Sequence, residues 1–473
     1  MDRDTLVYVG GRGTYSLLQF GALVVFSRLL PPSEYGLYAI GLATAALGNA
    51  VFFNWIKHFV LRFSTGDDPQ RFAVLAHARR RYAALVGLVV VVGLLAAAGA
   101  YVWLDARAAI LAAGVAAVLA CQGLFELHLE YRRSVEDSAR YAAGLVTKAV
   151  AMLGLGGGLA LTLGTFVGPL AGVAAGFLAG AGLLAVGIPT DEGPALDGDD
   201  RRRLRTYGLP LAAMFVFTYV MAQIDRILLG VLVDSGAAGV YAVSYDIAQQ
   251  AIFVPLMAVS LSYFPRAVAA YEGQLAGRVV EILEENVNYL VALGVPATVG
   301  LSLVAGDLTR ILLDPAYAEV GRVLVPFVAS GAFLLGFQEF SFNRAYQLEE
   351  STRPLSVIHA AGAGVNLLAN LAAIPIWGVL GAAATTVVTY ALTFALKAYR
   401  VGGAFAIVND GRLWVGVGLG TGAMAASLLA LPRLEGYVGL AGAVSGAALV
   451  YLVVLWIVWQ PELPDIGEPE GEV

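Results

Sequence analysis

The stretch QIDRILLGVLVDSGAAGVYAVSYD, residues 223–246, decides the fold. Asp225 and Arg226 stand side by side in a long apolar run, a polar turn follows at Asp234-Ser235-Gly236, and a second apolar run opens Gly239-Val240-Tyr241-Ala242-Val243. A helix this apolar has no aqueous face, so a charge pair inside it must turn toward other protein or a wet cavity. Near the N-terminus the pattern recurs. Leu29-Leu30-Pro31-Pro32-Ser33-Glu34 leads into Tyr35-Gly36-Leu37-Tyr38-Ala39-Ile40, so a G-aliphatic-Y-A-aliphatic string follows a polar turn twice. A duplicated helix pair in a membrane chain predicts two halves facing each other around a shared site.

Composition sets the solvent. With 59% hydrophobic residues and 14% charged ones, the chain lies far from the soluble average and reads as a polytopic membrane protein. The first apolar segment is too long for a cleavable signal peptide, and no small-residue cleavage site follows it. The single cysteine, Cys121, excludes an internal disulfide and a cysteine-based metal site, and His58, His77, His128 and His359 show no metal spacing. No Walker A sequence occurs, and Gly10-Gly11-Arg12-Gly13 sits in an apolar span rather than after a strand, so neither nucleotide motif is present. Acidic segments carry much of the net charge of −6, and lysine is confined to Lys57, Lys148 and Lys397. That balance suits a high-salt organism, although GC-rich coding also favours arginine over lysine.

Apolar runs between charge clusters predict an all-α chain of about fourteen spans: six within 6–188, six within 205–400 and two within 412–459. The expected organisation is a six-helix bundle over 1–188, a linker over 189–204, a second six-helix bundle over 205–401, two added helices over 402–460 and an acidic tail over 461–473. Because six is even, the second half inserts in the same sense as the first, giving a pseudo-twofold axis along the membrane normal. Alternate loops hold the arginines (Arg79 to Arg81, Arg132 and Arg133, Arg201 to Arg203, Arg353), which puts both termini and the linker in the cytoplasm. Stretches 62–81 and 265–285 read as amphipathic segments at the interface.

Spacing sorts the polar residues inside the spans. Gln122, Glu126, Glu130 and Arg133 share one helical face, as do Glu339, Asn343, Tyr346 and Gln347 in the counterpart span. Asp246, Gln249 and Gln250 form a third stripe, Arg12 and Gln19 a fourth, and Lys148 lies deep in the fifth span. Plainer readings stand beside these. Arg28, Lys57, His58, Arg133 and Arg344 are near span ends, where long side chains snorkel to headgroups. Asp225 with Arg226 reads equally as a structural ion pair, and Glu126, Glu130 and Glu339 equally as hydrogen-bonded packing elements. Glycines such as Gly154 to Gly158 read as close-packing sites.

Asn366-Leu-Leu-Ala-Asn370, followed by Pro375-Ile-Trp-Gly378-Val-Leu-Gly381-Ala-Ala-Ala-Thr385, resembles the N-x3-N…P-x-x-G-x-x-G-A-A-x-A-T signature of polysaccharide-export proteins. These are the Wzx-like flippases of the multidrug/oligosaccharidyl-lipid/polysaccharide exporter superfamily. Arg28-Leu-Leu-Pro-Pro-Ser-Glu-Tyr-Gly-Leu-Tyr and Asp225-Arg226…Gly239-Val-Tyr241 resemble the same family, and the likeness runs along essentially the whole chain.

The resemblance implies a V-shaped pair of bundles around a cavity that opens alternately to each side, without enzymatic activity and without a cofactor. The cargo implied is a polyprenyl-linked sugar or oligosaccharide, carried outward across the plasma membrane and coupled to Na⁺ or H⁺. The implied partners are that lipid, the surrounding lipids and glycosyltransferases or a polymerase of the same pathway; the chain is expected to be a monomer with no nucleic-acid partner. The expected phosphate-binding residues are Arg12, Arg28, Lys57, Lys148 and Arg226, since guanidinium and ammonium groups bind phosphate strongly where water is scarce. The expected sugar- or ion-contacting residues are Glu126, Glu130, Asp225, Asp246, Gln249, Glu339 and Asn343. Three other readings compete: a cation-coupled drug antiporter, which would want a net acidic cavity; a membrane scaffold, which has no need of buried charges; and an integral glycosyltransferase, which would want a large outer loop.

Overall fold

A computed structural model of the chain describes residues 3–54, 56, 68–188, 216–348, 352–401, 410–432 and 435–459. The expected linker at 189–204, the tail at 461–473, Lys57 and His58 lie outside the described residues. Among the described residues every regular element is helical. In chain order these are α1 (Arg3–Leu29), α2 (Pro32–Phe52), α3 (Asp68–Trp103), α4 (Ala106–Ser134), α5 (Ser138–Leu163), α6 (Val167–Ala185) and α7 (216–232). There follow α8 (Ser235–Glu272), α9 (Ala276–Leu312), α10 (Pro315–Phe340), the short α11 (Phe342–Leu348), α12 (Thr352–Val401), α13 (Gly411–Ala430) and α14 (Gly436–Trp459).

Short polar turns start the helices. Asp105, Asp137, Asp234, Asp314 and Asp410 each accept a backbone N–H from the first turn of α4, α5, α8, α10 and α13. An aspartate at this position satisfies one of the orphan N–H groups of a helix start, which is costly to leave bare in lipid. The polar turn at Asp234 is therefore a helix cap.

Eleven of the described helices are long and apolar enough to cross a membrane. The expectation of fourteen spans differs from this by α1, by α7 and by the second arm of α12. Outward faces are apolar: Leu94, Leu95 and Trp103 of α3 are 64%, 68% and 85% exposed, as a lipid-facing helix requires. The expected interfacial segments are not separate elements where they are described. Residues 68–81 are the first turns of α3, and residues 265–272 the last turns of α8, which continues through Pro265.

The helix α12 is two arms. Gly378 has φ +56° and ψ −131°, a conformation that favours glycine, and turns the chain back on itself. A Cβ on Gly381 would come within 2.5 Å of the Ala373 carbonyl, so the returning arm packs backbone to backbone. These two glycines and Pro375 explain the P-x-x-G-x-x-G part of the motif: it is a membrane hairpin between arms 352–377 and 379–401.

Packing falls into two groups. In the first, α1 lies on α5, α3 on α4, and α6 on α4 and α5; in the second, α8, α10 and α13 flank α9, and α12 lies on α10. The main bridge between the groups is α2 against α8. The two copies of the repeated string meet there. A Cβ on Gly36 would lie 1.6 Å from the Ser235 carbonyl oxygen, and one on Gly239 would lie 2.1 Å from the Pro32 carbonyl oxygen. Backbone cannot retreat from such contacts, so only glycine permits this crossing.

Candidate functional site: a polar cavity between the two helix groups

A cavity of about 270 Å³ lies between α1, α2, α7 and α8, lined by Gln19, Tyr35, Tyr38, Gln223, Arg226, Asp246, Gln249 and Gln250 together with apolar side chains. Arg226 is 6% exposed; its Nη2 bonds Asp246 Oδ1 at 2.5 Å, and its guanidinium lies 5.3 Å from the Tyr245 ring centre. Arg226 Nε is buried with no hydrogen-bond partner. A charged group with one donor unpaired is poised to take a further acceptor. Gln249 opens a π-helical turn, Gln249–Phe253, where Gln249 Nε2 donates to Tyr245 Oη at 3.0 Å and Gln249 Oε1 is unpartnered. Single π-turns inside α-helices recur at functional sites because they re-aim side chains.

Asp225 points the other way. Consecutive residues on a helix lie about 100° apart, so the charge pair read from the sequence splits between two environments. Asp225 Oδ1 accepts from Asn370 Nδ2 at 2.7 Å, and Oδ2 accepts from Tyr241 Oη at 2.6 Å and Thr386 Oγ1 at 2.5 Å. Thr385 Oγ1 donates to Asn370 Oδ1 at 2.6 Å, and Asn370 Nδ2 also reaches Asn366 Oδ1 at 3.2 Å. Of the N-x3-N…T motif, Asn370 thus bonds the carboxylate directly, and Asn366 and Thr385 bond Asn370 behind it. The motif was legible as a signature; its partner Asp225 was not, because the contact spans 145 residues.

The other basic candidates fall away from the cavity. Arg12 Nη1 donates to Tyr8 Oη at 3.4 Å, and its Nη2 touches Met257 Sδ at 3.6 Å across the two helix groups. Lys148 sits in an aromatic box: Nζ donates to Tyr15 Oη at 2.9 Å and lies 4.2 Å and 5.6 Å from the ring centres of Phe177 and Phe125. Cation–π attraction holds a buried ammonium there without a carboxylate. Arg28 is exposed and caps the end of α9, donating from Nε to the Leu312 carbonyl at 2.8 Å and from Nη2 to the Ile311 carbonyl at 2.5 Å. The last carbonyls of a helix lack intrahelical donors, and a cation satisfies them. Beside it, Tyr317 Oη donates to the Leu30 carbonyl at 2.9 Å. Arg28→Ala is accordingly expected to loosen this end by about 1 kcal/mol, about a fivefold shift toward separation, with no change in headgroup affinity. Accessibility of a cysteine placed at Ser33 measures the first, and ligand titration the second.

The acidic and amide candidates form local pairs. Glu126 accepts from Asn49 Nδ2 at 3.1 Å and from Gln122 Nε2 at 2.8 Å; Glu130 lies 3.6 Å from Arg133. Glu339 Oε2 accepts from Asn343 Nδ2 at 2.6 Å. None of these four lines the cavity, whereas Asp246 and Gln249 do. Sequence reasoning missed Tyr35 and Tyr38 as cavity walls, although both lie in the repeated string.

A helical membrane protein whose two helix groups enclose a polar cavity has a transporter's architecture. The chain belongs to the polysaccharide biosynthesis protein family, whose model matches residues 25–321. A curated relative, "Probable flippase AglR" of Haloferax volcanii, is 28% identical over 173 residues. That match spans 36% of this chain and 35% of the relative, about a third of its length. The fold is similar to that of the lipid II flippase MurJ in an inward closed conformation, with a TM-score of 0.76 over 96% of this chain and 99% of that one, at 13% identity. It is also similar to an inward-facing multidrug resistance MATE family transporter of the MOP superfamily, with a TM-score of 0.58 over 85% of this chain and 96% of that one, again at 13% identity. These likenesses place the fold among the structural neighbours of that superfamily.

Proposed function

We propose that this protein is a flippase that carries a polyprenyl-(di)phosphate-linked sugar or oligosaccharide from the cytoplasmic to the outer leaflet by alternating access. The observation that carries the reading is Arg226, a buried guanidinium with a free Nε on the wall of a polar cavity between the two helix groups. A phosphate entering there would accept that donor and compete with Asp246 for the rest. A second feature supports a lipid-borne cargo over a soluble drug. An apolar groove of about 810 Å³ runs between α8, α9, α13 and α14, walled by Leu301, Met424, Tyr451 and Trp459 among others, and would shelter an isoprenoid chain. The cavity is also not net acidic at its charged pair, which disfavours an organic-cation antiporter.

In this reading the arginine-rich loops face the cytoplasm with both termini, and the chain works as a monomer in the plasma membrane beside the glycosyltransferases or polymerase of its pathway. The crossing of Gly36 with Gly239 then closes the outer side. Ion coupling belongs to Asp225. A sodium ion would be held by oxygens of Asp225, Asn366, Asn370 and Thr386, since hard cations take oxygen ligands, while a proton would sit on the carboxylate itself.

The test is leaflet-resolved labelling of lipid-linked glycan in a deletion strain with and without the restored gene. Glycan trapped on the cytoplasmic face, released by the wild-type gene and at least tenfold less by Arg226→Ala, is the expected result, because removing a buried charged donor costs about 1.5–3 kcal/mol. A normal leaflet distribution with lost glycan assembly would instead favour a scaffold.

A further inference from the structure

A second polar layer joins the same helices that hold Asp225, and nothing in the transport reading uses it. Lys397 is 3% exposed and His359 8% exposed; Lys397 Nζ lies 3.2 Å from His359 Nε2, and Thr218 Oγ1 lies 3.1 Å from His359 Nδ1. The three residues come from α7 and from both arms of α12. So do Asp225, Asn370 and Thr386. His359 precedes Asn366, and Thr218 precedes Asp225, by the same two helical turns, so both layers sit on the same faces. Met221, Ala363 and Tyr390 fill the space between them.

The chemistry of this layer is unusual. Buried ammonium groups normally meet a carboxylate, yet the hydrogen-bond partner of Lys397 is an imidazole. A hydrogen bond between an amine and Nε2 needs one donor and one acceptor. If Lys397 is an ammonium, it donates to a neutral imidazole whose proton is then on Nδ1, facing Thr218. A second proton on Nε2 would break that bond and set two cations 3.2 Å apart. The charged or titratable groups facing the pair from neighbouring elements are Glu339 of α10, within electrostatic reach of Lys397, and Tyr390 of the second arm, whose Oη bonds the Met221 carbonyl of α7 at 3.4 Å. Neither bonds His359.

We propose that Thr218, His359 and Lys397 form a proton-binding site, separate from the Asp225 network, that controls the packing of α7 against the α12 hairpin. With one proton shared between Lys397 and His359 the three helices are clasped as here. A second proton, taken by His359 Nε2 from water at the end marked by Arg353 and Arg400, releases Lys397 and loosens the clasp. The site's use in the cycle rests on the transport reading; its proton chemistry does not.

The test separates the two. The chain has four histidines, so ¹⁵N-imidazole labelling of the full-length protein in detergent gives few signals, and His359→Gln assigns one of them. The expected signal at neutral pH is that of the Nδ1–H tautomer, with a single titration step whose midpoint Lys397→Met displaces by about one pH unit or more. An Nε2–H tautomer, or a midpoint unmoved by Lys397→Met, overturns the site. In proteoliposomes, the pH dependence of transport is expected to flatten in His359→Gln while transport at the optimum stays within about tenfold of wild type. A pH profile unchanged by His359→Gln overturns its use in the cycle.

Discussion

Gly239→Val is expected to hold the closed ends of α2 and α8 apart. A Cβ at this position would lie 2.1 Å from the Pro32 carbonyl oxygen and a Cβ at Gly36 1.6 Å from that of Ser235, and both clashes are with main chain. Overpacking of this kind costs about 1–3 kcal/mol, which moves a two-state balance by about 5- to 150-fold. The fold need not suffer, because the strain is relieved by separating the helix groups rather than by unfolding either one. Spin labels at Ser33 and Glu319, both exposed, report the separation in a Cys121→Ala background. The variant is expected to show a longer distance population that is minor in wild type, and a similar fall in transport. An unchanged distance distribution would remove the glycine crossing from the gating account. Gly36→Ala should act in the same direction, since both copies of the string contribute to one contact.

Asp225→Ala is expected to have the second large effect. It removes one carboxylate that accepts from Asn370, Tyr241 and Thr386, leaving three buried donors to find other partners. Each buried group left bare costs about 1–3 kcal/mol, so a drop in melting temperature of several degrees is expected. Asp225→Asn separates stability from coupling. It keeps the shape and part of the hydrogen bonding but removes the charge, so it is expected to recover most of the melting temperature while the stimulation of transport by Na⁺ or by a proton gradient is lost. Stimulation that persists in a well-folded Asp225→Asn would limit this network to holding α7 onto the α12 hairpin. Tyr241→Phe, which deletes a single donor, should fall between these two and wild type in melting temperature.

Sequence reading captured the all-helical membrane class, the duplicated string and the family, because each depends on local pattern. Apolar runs show at any register, and the Pro375, Gly378 and Gly381 spacing marked the family, while the hairpin it builds is seen only in the structure. The site was less legible. Arg226, Asp246 and Gln249 line the cavity, whereas Lys148, expected there for its depth in the span, and Arg28, expected there for its charge, do not. Helical periodicity says which residues share a face and not which neighbour that face meets. An aromatic box from α1, α4 and α6 and the carbonyl end of α9 are tertiary facts. For the same reason Asp225 and Arg226 read as one unit, although the helical turn between them sends each to a different task. The Lys397–His359 contact was not legible, because the two residues lie 38 positions apart on different arms of α12. The alignment of the two α12 arms, in which 397 faces 359 as 385 faces 370, is the signal that finds it.

The adjacency of Asp225 and Arg226 has a thermodynamic consequence. The two residues ride on one stiff turn of α7, and a helix cannot rotate one without the other. Any movement that draws Arg226 off Asp246 toward a bound phosphate also strains the three bonds that tie Asp225 to Tyr241, Asn370 and Thr386. Occupancy of one side of α7 is therefore felt at the other, and linkage makes that influence mutual. If a cation at Asp225 changes the affinity of the cavity for its lipid tenfold, the lipid must change the affinity for the cation by the same factor, about 1.4 kcal/mol read from either end.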